Sequence, residues 1–114
     1  MVNRLLAHGF ALVVTESSNR DTNIWDISTT DVSANADLAR LLDLTAWMVE
    51  QTAVGADTPV FAYGMSVGGD FAHYFARAGS QEGLPMGAVA SYGGFVRPEL
   101  EREGGTGVPT FFQV

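Results

Sequence analysis

Gly64-Met65-Ser66-Val67-Gly68-Gly69 places one serine between two glycines, two residues before it and two residues after it. Set at a sharp turn from a strand into a helix, a serine in that spacing is a candidate nucleophile. The turn forces it into a strained backbone conformation and lifts its hydroxyl above the sheet. Side chains at the flanking positions would collide with the turn and with the adjacent strand, which Gly64 and Gly68 avoid. Gly69 adds room where the helix start passes the sheet. Behind the serine, the helix N-terminus offers free N–H groups and the positive end of its dipole. The N–H of Val67 is thereby placed to donate to an oxyanion, a contribution of roughly 3 kcal/mol to a transition state. The chemistry within reach of this spacing is acyl transfer through a serine ester.

A serine needs a base, and the chain has two histidines. His73 follows Ser66 by two helical turns, roughly 10 Å of rise and out of reach of its hydroxyl. It is expected on the surface, paired with Asp70 or Arg77 at helical spacing. His8 is expected at a helix end, at the opposite end of the sheet from Ser66. Asp21, Asp26 and Asp31 suit capping and turn duties in a polar loop, and no histidine accompanies them to make a metal site. Ser17, Ser18, Arg20 and Trp25 share that loop and are candidates to line a substrate cleft, as are Tyr92 and Phe95. Gly104, Gly105 and Gly107 do not have phosphate-loop spacing, and no lysine follows them.

These residues must be positioned by a regular scaffold, and the hydrophobic periodicity supplies one. Short apolar runs at 10–15 (FALVVT), 58–63 (TPVFAY), 86–91 (MGAVAS) and 108–114 (VPTFFQV) read as strands buried on both faces. Residues 36–53, with Leu38, Leu41, Leu42, Met48 and Val49 at helical spacing, predict a helix closed by Gly55. A second helix is expected over 67–78, ending at Gly79, with Phe71, Tyr74, Phe75 and Ala78 on its buried face. Val2–His8 reads as a helix with Gly9 just past its end, and 98–103 as a short charged helix. Strands alternating with helices predict an α/β fold: a parallel sheet with helices on both faces, 58–63 central, and 36–53 opposite 67–78.

Composition bounds the remaining possibilities. Apolar residues make up 46% of the 114 and charged residues 17%, the balance of a chain with a packed core. Thirteen acids against six bases, a net charge of −7, oppose binding to nucleic acid or to an anionic membrane. The absence of cysteine removes disulfides and thiolate chemistry. No apolar run reaches the roughly 18 residues of a membrane span, and Met1–Gly9 lacks the pattern of a signal peptide.

FAYGMSVGGDFAHYFA resembles the nucleophile elbow and following helix of the α/β-hydrolase superfamily, and the similarity extends over most of the chain. FALVVT is similar to the fourth strand of that fold, TPVFAY to the fifth, MGAVASYGG to the sixth and VPTFFQV to the seventh. Residues 1–114 then form a single incomplete domain of that fold, nearest to its esterases, feruloyl esterases and polyester depolymerases. The resemblance implies a serine hydrolase acting on small or polymeric carboxylic esters, with no cofactor. Ser66 is its nucleophile, Val67 half of its oxyanion hole, and Gly64, Gly68 and Gly69 its elbow glycines. It also implies an acid and then a histidine later in the chain order. Only the serine is matched here, so the acid and base are expected outside residues 1–114 and this segment alone is expected to be inactive. Two other readings stay open: a truncated or degenerate hydrolase without activity, and an acyltransferase using the same elbow.

Overall fold

The computed structural model describes residues 1–113. Three parallel strands form one sheet in the order β1 (Val60–Met65), β2 (Met86–Tyr92), β3 (Thr110–Gln113). Four α-helices accompany them: α1 (Val2–Ala7), α2 (Ala36–Glu50), α3 (Val67–Gln81) and α4 (Pro98–Arg102). The class is α/β, a parallel sheet with helices packed against it. No helix among the described residues is long and apolar enough to cross a membrane.

Helix α3 organises the core because two of its faces are apolar. Ala72 and Ala76 lie on Val89 and Ala62 of the sheet, where small side chains let the helix approach closely. Phe71, Tyr74, Phe75 and Ala78 meet Leu38 of α2 and Leu100 of α4, with Leu41 and Leu42 completing the layer. Full burial of a side chain such as Leu38 contributes about 2 kcal/mol. Helix α2 therefore packs on α3, not on the opposite face of the sheet as its sequence suggested. On the opposite face Phe61, Tyr63 and Met65 are exposed, and Phe10 lies edge-on to Phe61 at 5.8 Å.

The expected strand at 10–15 is absent. Its residues are largely exposed, Val14 to 87%, and none of them pairs with β1. Apolar β-branched residues suit a pleated strand, but composition alone does not pair them, and this segment leaves the free edge of β1 uncovered. Without that neighbour β1 lies at the edge of the described sheet and β2 is the middle strand. The strand at 58–63 begins two residues later and runs through Gly64 and Met65. The last strand starts at Thr110, and Val114 lies outside the described residues.

Helix ends differ from the sequence reading for a common reason. Helix α3 continues past the buried Gly79 to Gln81 and stops where Gly83 turns to φ +86°. Leu84 N–H then donates to Gly79 O and Gly83 N–H to Ser80 O, which satisfies two of the final carbonyls. Helix α2 stops at Glu50 and Gly55 takes no part. Thr52, at φ +57°, makes the same reversal with Ala53 N–H on Met48 O.

Candidate active site

Ser66 stands at the junction of β1 and α3, exposed, at φ 53°, ψ −127°. A β-carbon is strained in that region, at a cost of about 1–3 kcal/mol. The conformation is held from both sides. Ser66 N–H donates to Tyr92 O at 2.9 Å, and Ser66 O accepts from Gly69 N–H at 2.8 Å and Asp70 N–H at 3.1 Å. Its hydroxyl makes no capping bond to the helix it precedes. Val67 and Gly68 open α3, so their N–H groups have no helical carbonyl behind them and point toward the serine's end of the helix.

The three glycines here are not equivalent. A β-carbon on Gly64 would lie 2.0 Å from Gly68 O and 2.3 Å from Gly68 C, a collision with backbone. On Gly69 it would press on Ser91 Cβ at 3.0 Å and Gly94 Cα at 3.1 Å. Gly94 reciprocates, since its own β-carbon would reach Gly69 Cα at 2.8 Å. The first turn of α3 therefore crosses the loop after β2 backbone to backbone, and Gly94 is a contributor that the motif spacing does not mark. At Gly68, by contrast, a β-carbon would meet only the Trp25 indole, 3.5 Å from Nε1 and 3.7 Å from Cδ1. That is ordinary contact, so the strand and turn do not require glycine at 68.

The buried carboxylate of Asp70, in the first turn of α3, anchors the loop beyond Gly94. Oδ1 accepts from Phe95 N–H at 2.6 Å, and Oδ2 from Arg97 Nε at 2.9 Å and Nη2 at 2.6 Å. Tyr92 and Phe95, proposed as cleft residues from sequence, are both exposed beside this junction, as is Met65. Of the loop candidates, Ser17 is 2% exposed and turned inward, and Arg20 is paired with Glu16 in solvent. Trp25 reaches α3, where it stacks on Phe71 at 4.3 Å and 15°. Asp26 and Asp31 close local turns, each accepting from a serine two residues on.

His73 does not lie on the surface. It is fully buried, with Nε2 3.1 Å from Ser91 Oγ and its ring 5.2 Å from that of Phe112. Burial lowers its pKa below the ordinary histidine value, and the Asp70 charge only partly opposes this. The reason for the misplacement is that α3 is covered on several sides, so even a polar position faces β2 and β3. His8 caps the end of α1 and is exposed. Neither histidine pairs with Ser66. No group of three or more potential metal ligands occurs among the described residues.

Comparison with known protein families, with curated proteins and with solved structures finds no match to this chain.

Proposed function

We propose that Ser66 is the nucleophile of a serine hydrolase of the α/β-hydrolase type, acting on carboxylic esters. The observation that carries the reading is an exposed serine held at φ 53°, ψ −127° between a parallel strand and a helix N-terminus. Such strain is retained where it aims a reactive group, and here it leaves the hydroxyl uncapped beside the free N–H of Val67. In the proposed reaction Ser66 Oγ attacks the ester carbonyl carbon and its proton passes to a base. The Val67 N–H stabilises the oxyanion, the alcohol leaves with a proton, and water releases the acyl group. Val67 is half of the oxyanion hole in this reading, and Gly64 and Gly69 shape the elbow.

Acid and base are assigned to residues outside 1–114, because both histidines here are placed elsewhere. That same placement is what favours the competing reading, a hydrolase-like segment without activity. The two are separated by a fluorophosphonate probe, applied to residues 1–114 and to a longer polypeptide that contains them. Labelling of the longer form, lost in Ser66→Ala, is expected, with none in the short form. Without its histidine such a nucleophile is slower by a factor of about 10⁶. A longer form that carries a histidine and acid yet is never labelled would leave the non-catalytic reading.

A further inference from the structure

The sheet has one covered face and one bare face. Strand side chains alternate between faces, so Ala62 and Val89 lie under α3 while their neighbours along each strand point away from it. On that second face Phe61, Tyr63 and Met65 of β1 and Phe111 of β3 are 55% to 62% exposed. Parallel sheets are stable with both faces covered. No strand residue among those described is charged, so the strands give the bare face no charged side chain to hold it in water.

This face has a definite relief. The register sets Tyr63 beside Ala90 and Ala90 beside Phe111, so bulky columns on β1 and β3 flank a trough floored by alanine. Ala88, paired with Phe61, extends the trough. The columns stand two strand spacings apart, about 10 Å, which is also the distance at which two sheets stack face to face. With Phe10 against Phe61 and Tyr92 beside Met65, the large side chains of this face expose roughly 600 Å², at about 100 Å² each. Two such faces remove about 1,200 Å² from water, the lower end of the range for a stable protein interface. Charge allows the pairing as well. Each copy carries −7, and two copies can meet closely only where carboxylates are absent, as they are on these strands.

We propose that this face is the interface of a two-fold dimer of this chain. With the axis parallel to the strands and between β1 and β2, the Phe61 and Tyr63 ridge of each copy lies in the Ala88 and Ala90 trough of the other. The same rotation carries the β3 column of each copy past the free edge of the other's β1, which has no strand beside it. Such a contact is isologous and closes at two copies. The dimer is independent of the chemistry at Ser66.

The test is sedimentation equilibrium of residues 1–114 across the micromolar range, with circular dichroism to verify folding of each variant. A reversible monomer–dimer equilibrium with a micromolar Kd is expected, because the buried area is modest. Tyr63→Glu buries an unpaired charge in the contact and should weaken the dimer by about a hundredfold. Ala90→Phe fills the trough and should weaken it by about tenfold, whereas on an unspecifically adhesive face an added aromatic would strengthen association. A chain that stays monomeric, or that grows beyond dimers without limit, overturns the proposal, as does a dimer indifferent to both substitutions. If a longer polypeptide containing these residues is monomeric under the same conditions, the chain covers this face itself and the proposal is wrong.

Discussion

Gly64 and Gly68 meet across the junction of β1 and α3 so closely that a β-carbon on Gly64 would lie 2.0 Å from the carbonyl oxygen of Gly68. The relationship is one-sided, because a β-carbon on Gly68 points away from the strand and toward Trp25. Gly64→Ala is therefore expected to destabilise the fold by about 3 kcal/mol, since backbone must move to accept it. Gly68→Ala is expected to be neutral or to stabilise by up to about 1 kcal/mol. Urea denaturation of both variants checks this, and equal losses would mean that the turn is tighter at Gly68 than the structure shows.

Strain at Ser66 predicts a gain in stability when its β-carbon is removed. Glycine adopts φ 53° without penalty, so Ser66→Gly should raise stability by about 1 kcal/mol, while Ser66→Ala should leave it nearly unchanged. If the serine is the proposed nucleophile, both variants lose all reaction with a fluorophosphonate in the longer polypeptide. Stability and reactivity would then run in opposite directions at this position.

Buried His73 sets a pH dependence with a definite sign. Its folded-state pKa is lowered, so near neutrality both folded and unfolded chains hold it uncharged and its packing contributes fully. As pH falls through about 6.5, the unfolded chain takes the proton first and stability declines, down to the lowered folded value. The groups around it are Ser91, Phe112 and Asp70, and the Asp70 charge limits the decline without reversing it. Denaturation midpoints between pH 7.5 and 5 should fall for the wild type and flatten for His73→Gln. Asp37 acts lower on the scale: its contribution is present above the ordinary aspartate range and is lost as pH drops through its lowered folded value.

Asp70 ties the first turn of α3 to the loop that carries Phe95 and Arg97. Asp70→Ala leaves the Phe95 N–H and the Arg97 guanidinium without their acceptor and should cost about 2–3 kcal/mol. Arg97 is more exposed, so Arg97→Ala should cost less than Asp70→Ala. Thermal unfolding of the two single variants and the double variant checks the order, and a larger loss for Arg97→Ala would contradict it.

Much of the scaffold was legible in the residues alone because it depends on local pattern. Strands at 60–65 and 86–92 follow from short apolar runs, α3 from its helical stripe, and the serine at their junction from the glycine spacing around it. Gly9 lies just past α1 in the left-handed conformation that ends a helix, as its place after the Val2–His8 stretch suggested. What required tertiary structure was every question of which surface meets which. FALVVT has the composition of a strand, yet it does not pair with the free edge of β1, because composition records a conformational preference and not a partner. His73 sits at a polar-looking helical position but is buried because α3 is enclosed by the sheet on one side and by α2 and α4 on another. Trp25 reads as a loop anchor, and only the folded chain brings its indole to Phe71 and Gly68 of α3, the latter 43 residues away in sequence. Periodicity encodes backbone conformation and amphipathic faces; contacts between distant segments depend on shape, and no local pattern records them.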